Sequence, residues 1–194
     1  MYEVELKFAV EDADAIRSRI TDIGASSLEI VNQCDLYFGH PSRAFAESDE
    51  ALRMRSTGDV HTVTYKGPVI DDATKMRKEI EVDLLPGEPS AEGFREILIS
   101  LGFEPVRHVR KQRHRFHLSW SHREFELAID QIDGLGTFVE LETLATADAR
   151  DRARDAVLEL ANRLALTSPE KRSYLEMLLQ HDAEEPRPTG PNTG

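Results

Sequence analysis

The sequence predicts an α+β protein in which eight β-strands close into a barrel with helices packed outside. Three observations carry this. Eight stretches read as strands, and seven of them turn a charged or polar face one way and, less cleanly, an apolar face the other. Three principal amphipathic helices need an apolar surface to cover, and the strands supply it. Long strands also curl and close rather than leave edges exposed. At 194 residues and 40% hydrophobic, the chain can bury one sizeable core.

The first strand, residues 1–10, alternates Val4, Leu6 and Phe8 with Glu3, Glu5 and Lys7. A helix over 12–23 follows, with Ile16, Ile20 and Ile23 on one face and Gly24 as its stop. The second strand is read at 33–39. The third, 51–56, places Arg53 and Arg55 opposite Leu52 and Met54, and the fourth, 60–67, aligns Lys66 with Thr62 and Thr64. The fifth, 76–84, sets Arg77, Glu79 and Glu81 against Ile80, Val82 and Leu84. A second helix after Ser90 uses Phe94, Ile97, Leu98 and Leu101 before Gly102.

The sixth strand, 107–118, gives Lys111, Arg113, Arg115 and His117 one face. The seventh, 123–131, opposes Glu124, Glu126 and Asp130 to Phe125, Leu127 and Ile129. The eighth, 136–143, alternates Glu140 and Glu142 with Val139 and Leu141. Asp133-Gly134 turns the chain between these last two. A third helix spans 148–164, and Ser168-Pro169-Glu170 predicts the opening of a short last one. The domain is assigned to 1–181, with the Pro/Gly-rich residues 182–194 as a disordered tail. The loops 39–50 and 67–75 are read either as lids or simply as mobile. Trp120 is expected as a partly exposed hairpin aromatic. His108, His114, His117 and His122 match no zinc spacing, with His117 alone a candidate for the site wall.

A net charge of -12 argues against binding to nucleic acid or an acidic membrane. No apolar run approaches a membrane span, and the N-terminus lacks the layout of a signal peptide. The single cysteine, Cys34, rules out an internal disulfide and fits a reducing cytoplasm; it is read as a small buried hydrophobe. The expectation is therefore a cytoplasmic protein.

On one strand a charged face is most simply a solvated face. If eight strands close, however, those faces line the interior, where unpaired charge is costly and ligands are implied. Lys7, Arg53, Arg55, Lys66, Arg77, Lys111, Arg113 and Arg115 could ring a small polyanion, Arg forks suiting phosphate oxygens. Glu3, Glu5, Glu79, Glu81, Glu126, Asp130, Glu140 and Glu142 are hard oxygen donors suited to Mg²⁺ or Mn²⁺. Together they describe a site for a metal-bound triphosphate.

On these residues the chain resembles the CYTH family, the triphosphate tunnel metalloenzymes. EVELK matches its Glu-x-Glu-x-Lys hallmark, and LRMR, TYKGP, RKEIEV, VRKQR and ELAIDQIDGLGTFVELE follow in family order, covering Tyr2 to about Leu179. DLYF, TYKGP, DGLGTFVELE and RSYLEMLL look most like the class IV adenylyl cyclase branch. The resemblance implies an eight-stranded antiparallel tunnel, conversion of ATP to cyclic AMP and pyrophosphate, and a homodimer. It also implies Glu3, Glu5, Glu140 and Glu142 as metal ligands. Lys7, Arg53, Arg55, Lys66, Arg77, Lys111 and Arg113 would hold the triphosphate. Asp130 would lie near the metals and act in catalysis with Lys7 and Lys111. Glu79, Glu81, Arg115 and Glu126 would give support, and Asp35 and Tyr37 match a branch motif of underivable role.

The same residues also suit a phosphohydrolase of this fold acting on inorganic, thiamine or nucleoside triphosphate. A non-catalytic sensor of nucleotide or polyphosphate would need the cations but not both glutamate pairs. ATP or another triphosphate is the expected partner in every case.

Overall fold

A computed structural model describes residues 1–71 and 74–184. Its strands are β1 (Tyr2–Val10), β2 (Ser26–Gly39), β3 (Ala51–Thr57), β4 (Val60–Lys66), β5 (Arg77–Asp83), β6 (Glu104–Trp120), β7 (Arg123–Ile132) and β8 (Gly136–Ala145). They close into a barrel in the order β1-β5-β4-β3-β2-β6-β7-β8, and every neighbour is antiparallel. The helices are α1 (Ala13–Asp22), α2 (Phe45–Ser48), α3 (Glu88–Ser100), α4 (Arg150–Arg163) and α5 (Tyr174–Glu184).

Strand alternation sorts the side chains as expected. Val4, Leu6 and Phe8 of β1 point outward, joining Phe116, Leu118, Phe125, Leu127, Val139 and Leu141 from β6, β7 and β8. On this surface lie Ile16 and Ile20 of α1 and Ala153, Val157, Leu160 and Ala161 of α4. A smaller cluster, Leu36, Phe38 and Met54 of β2 and β3, takes Ala91 and Leu98 of α3. A third closes one rim of the barrel, where Tyr37, Val109, Ile132 and Phe138 meet Tyr174, Met177 and Leu178 of α5.

Several boundaries differ from expectation. β2 begins at Ser26 rather than 33, because its first half pairs with β6 alone and leaves Leu28 and Ile30 exposed. Backbone pairing, not burial, holds that stretch extended. The last helix begins at Tyr174, not at Ser168, which has a φ of +61°. Its start is a capping box: Ser173 Oγ accepts from the Glu176 N–H, and the Glu176 carboxylate accepts from the Ser173 N–H. α5 runs on through residues 182–184, while the remainder of the expected tail, 185–194, lies outside the described residues. Cys34 is half-buried, 3.4 Å from His108 Nδ1, rather than in the core.

Helical cover is also incomplete. Ile80 and Val82 on the outer face of β5 are 49% and 56% exposed, and Ile97 and Leu101, expected in the α3 stripe, face solvent. α3 packs on the side of the barrel that carries Leu36, Phe38 and Met54 and leaves Ile80 and Val82 uncovered. Trp120 behaves as expected, half-buried with its ring 6.0 Å from Phe125 beside the two-residue turn Ser121-His122. Gly134 adopts a φ of +82° in the β7–β8 turn, as a tight hairpin demands.

The barrel seam is asymmetric. β1 pairs with β8 from Tyr2↔Ala145 to Val10↔Thr137, but meets β5 only at Tyr2↔Lys78 and Glu3↔Arg77. Above that point β1 is met instead by the Lys75 N–H, donated to the Glu5 carbonyl, and the Glu170 N–H, donated to the Lys7 carbonyl.

The packing sets an expectation. Leu160 is fully buried on the inner face of α4, so Leu160→Ala should cost about 2–5 kcal/mol. Val82→Ala on the bare β5 face should stay within about 0.5 kcal/mol. Urea midpoints of the two variants check this; similar losses would mean that the β5 face is covered.

Candidate active site

The inward faces of the strands make one continuous cavity of about 680 Å³. Among its lining residues are Glu3, Glu5, Lys7, Tyr37, Arg53, Arg55, Lys66, Arg77, Glu79, Glu81, Lys111, Arg113, Arg115, Glu126, Glu140 and Glu142. Closure of the barrel therefore brings the charged faces read from alternation together in one lumen. His117 does not take part: it is exposed and bonded to Glu124 at 2.8 Å outside the cavity. Its strand neighbours turn inward only from Arg115 downward in number.

Two buried carboxylates organise the cations. Asp35 accepts a two-pronged bond from Arg55, through Nε and Nη2 at 2.7 Å each, and a longer one from Arg53 at 3.4 Å. Burial alone would raise its pKa, yet Arg53 and Arg55 hold it well below the usual carboxylate range. Asp35, which motif matching left without a role, is thus the counter-ion of the Arg-x-Arg pair. Asp130, with no exposure at all, accepts from Lys111 at 3.2 Å, from Arg113 at 2.7 and 2.5 Å, and from the Tyr174 hydroxyl at 3.1 Å. Its oxygens are taken up by cations and a phenol.

Lys66 donates to Glu3 at 3.0 Å and also to Glu79, and these acids outweigh burial to raise its pKa. Arg77 donates to the Asp49 carbonyl at 2.8 Å. Arg113 bonds Glu140 as well as Asp130, and Arg115 bonds Glu126 and Glu29 nearer the open rim. Glu81 accepts from Thr64 at 3.1 Å. Lys7 is buried, with Nζ 4.3 Å from the centre of the Tyr174 ring and donating to the Arg172 carbonyl. Lys111 lies 5.3 Å from the same ring. Burial, with Arg113 and Arg55 beside it, pushes the Lys111 pKa down to about 8, so this cation fades as pH rises through that value.

Two site residues escaped the sequence reading. Tyr174 caps the lumen over Lys7, Lys111 and Asp130; its signal was the Ser-x-x-Glu box that starts α5 at the rim. Lys75 lines the cavity with a buried Nζ that has no hydrogen-bond partner among the described residues, and burial and Lys7 lower its pKa. It lies two positions before Arg77, the strand spacing that puts both on one face.

The carboxylates differ from the cations. Among the described residues, no three His, Cys, Asp or Glu side chains are gathered closely enough to hold a metal ion as they stand. Glu3 is held by Lys66 and Glu140 by Arg113. Register nevertheless sets Glu126, Glu142 and Glu5 abreast on β7, β8 and β1. Like charges in direct cross-strand pairs repel. Burial, then Glu3 and Glu5, pushes Glu142 well above the usual carboxylate range, and burial, Glu140 and Glu3 raise Glu5. Such a set needs protons or a cation, and its oxygen chemistry fits Mg²⁺ or Mn²⁺.

Comparison with known proteins agrees with this geometry. The CYTH domain profile matches residues 1–174. A Methanocaldococcus jannaschii protein named "Putative adenylate cyclase" is 34% identical over 180 residues, 91% of this chain and 98% of that one. A solved Pyrococcus horikoshii OT3 protein superposes with a TM-score of 0.81 at 33% identity, covering 92% of this chain and 99% of that one. A Hippeastrum protein described as having a dominant triphosphatase activity shares the fold, with a TM-score of 0.62, 17% identity and coverage of 92% and 96%.

Asp35 allows a pH test. A depressed folded-state pKa means a contribution present above the unfolded value of about 3.9 and lost as pH falls below it. Asp35→Asn should cost about 3–5 kcal/mol at pH 7, because it strands two arginines. That gap should narrow at pH 3. Urea unfolding at both pH values reads the difference, and a gap independent of pH would remove Asp35 as their charged partner.

Proposed function

Because this chain belongs to the CYTH family, we propose that it is a divalent-metal-dependent enzyme acting on a triphosphate, and specifically an adenylyl cyclase converting ATP to cyclic AMP and pyrophosphate. The observation that carries the substrate class is the lumen itself, in which arginines and lysines face a row of carboxylates inside a closed wall. The choice of cyclase is supported by the relative of that name, matched over nearly its whole length, and by the DLYF, DGLGTFVELE and RSYLEMLL segments.

Arg53, Arg55, Lys66, Arg77, Lys111 and Arg113 would grip the phosphate oxygens. Arg55 donates Nε and Nη2 to Asp35 and would offer its remaining N–H groups to the ligand, while Arg53 Nε and Lys75 Nζ are buried donors with no partner among the described residues. Glu5 and Glu142, with Glu3, Glu126 and Glu140 beside them, would hold Mg²⁺ or Mn²⁺. Such an ion neutralises phosphate charge and lowers the pKa of a bound hydroxyl. In cyclisation the ribose 3′-oxygen bonds to the α-phosphorus, the bond from that phosphorus to the oxygen bridging to the β-phosphorus breaks to release pyrophosphate, and the hydroxyl proton passes to solvent water. The cationic wall would hold the pyrophosphate as it leaves, and Asp35 and Asp130 would keep the Arg forks oriented without reorganisation.

A hydrolase built on the same lumen would instead aim water at the terminal phosphorus. Purified protein with ATP and Mg²⁺ or Mn²⁺ should yield cyclic AMP and pyrophosphate, with inorganic triphosphate inhibiting competitively. Orthophosphate as the product, with inorganic triphosphate turned over faster, would replace the cyclase reading with a hydrolase.

The carboxylate row gives a second test. Glu142→Gln replaces a carboxyl that burial and its acidic neighbours make costly to ionise, so EDTA-treated protein should melt about 2–4 °C higher than the unsubstituted chain. The variant should also lose the stabilisation that Mg²⁺ gives the unsubstituted chain. Equal Mg²⁺-induced shifts in both would take Glu142 out of the ligand set.

A further inference from the structure

The barrel wall is incomplete at the seam where β1 meets β5 at two positions. Beside the backbone bridges that Lys75 and Glu170 make to β1 lies a second cavity of about 270 Å³. Val69, Asp71 and Thr74 bound it on one side, and Pro169, Glu170 and Lys171 on the other. Glu5, Lys7, Asp49 and Lys75 line both this space and the lumen, so the two adjoin through the gap in the wall. The rim under α5 is more obstructed. Tyr174 caps it, and the segment 39–50 crosses it, anchored by Glu50, which accepts from Arg43, Ser48 and Tyr65.

Charge pairing around the seam cavity leaves a cationic remainder. Asp49 is held by Arg77 at 3.6 Å, Asp71 by Arg154 at 3.4 Å and Glu170 by Arg172 at 2.5 Å. Each of these carboxylates is answered by an arginine from outside the cavity lining. The lysines are not answered in the same way. Lys7 Nζ donates to the neutral Arg172 carbonyl, and the buried Lys75 Nζ has no hydrogen-bond partner among the described residues. Lys171 adds an exposed ammonium. Glu5 is the remaining acid, one carboxylate against three ammonium groups. A buried ammonium without a partner is costly, and an anion relieves that cost. A space just below the usual size of organic-ligand pockets suits a small inorganic anion. Lysines serve such a ligand as movable point charges.

We propose that the seam cavity is a second anion site, which takes inorganic pyrophosphate sideways out of the lumen through the gap between β1 and β5. Lys7 and Lys75 hold the anion on the lumen side and pass it to Lys171 on the solvent side, with no bond made or broken. Resting on the triphosphate reading of the lumen, this assigns a site outside it and a route by which product departs.

Calorimetric titration of pyrophosphate into the full chain saturated with α,β-methylene-ATP and Mg²⁺ tests this without turnover, because the analogue fills the lumen and cannot release pyrophosphate. One further equivalent of pyrophosphate should bind. Lys171→Glu should weaken it about fivefold, the scale of reversing one exposed charge, and leave the analogue within about twofold. Lys75→Met should weaken the added pyrophosphate at least about tenfold, the scale of losing a charged hydrogen bond. Lys171 is exposed, so its variant guards against a trivial loss of folding at Lys75. Binding of the analogue with no further pyrophosphate overturns the seam site and leaves the triphosphate reading standing. A second equivalent indifferent to both substitutions, or an equal loss of analogue and pyrophosphate in Lys171→Glu, also overturns it. Pyrophosphate bound and weakened by Lys171→Glu, in a chain that does not take the analogue, supports the seam site and removes the nucleotide reading. Failure to bind either removes both.

Discussion

Asp35 and Asp130 are the constraint on which the rest of this barrel depends. A closed lumen lined by Arg53, Arg55, Lys111 and Arg113 would be prohibitively costly without buried counter-charge, because each cation has been taken from water. Each aspartate serves a pair of cations on adjacent or nearly adjacent positions, and each is itself buried to within a few per cent of full occlusion. The cations are thus held in place before any substrate arrives, with only part of their hydrogen-bonding capacity used. That arrangement reconciles a stable barrel with a lumen that can still receive a polyanion.

The carboxylate side is balanced differently. Lys66 is shared by Glu3 and Glu79, and Arg113 by Glu140 and Asp130, but Glu5 and Glu142 sit directly opposite one another with Glu126 next in line. Repulsion there is a cost of folding that Lys66 and Lys7 offset only in part, since burial and the neighbouring acids still raise Glu5 and Glu142. Charge is therefore segregated within one cavity: cations satisfied by aspartates on the β2–β3 and β6–β7 walls, and surplus acid on β7, β8 and β1. A ligand that brings both negative phosphate and a divalent cation matches both halves at once.

The two rims differ as well. One is left to polar groups such as Arg115, Glu126 and Thr62, while the other is covered by α5 and the anchored β2–β3 segment. Tyr174 joins these themes, donating to Asp130 while its ring faces the ammonium groups of Lys7 and Lys111. The aromatic face offers those lysines partial compensation without the full negative charge that would compete with phosphate. The incomplete β1–β5 seam brings Lys75 to the same region, where its buried amine feels Lys7 and Arg77 against Glu5 and Asp49.

Much of this was legible from alternation. Because side chains change face at every residue of a strand, Glu3, Glu5 and Lys7, or Arg53 and Arg55, had to share a side, and Leu6 or Met54 had to take the other. The helices α1 and α4 and the turn at Gly134 followed from local periodicity and backbone preference. Periodicity could not reveal that the first half of β2 stays extended, since there pairing with β6 does the work that burial does elsewhere. Nor could it reveal the bare face of β5, because which strands a helix covers depends on where the chain lets it lie. The partnerships inside the lumen were likewise beyond it: Asp35 with Arg55, Asp130 with Arg113 and Tyr174, and Glu5 opposite Glu142 join positions far apart in the chain. Local sequence determines which way a side chain faces, but register and closure decide what it faces, and the energies of buried charge depend on that second choice.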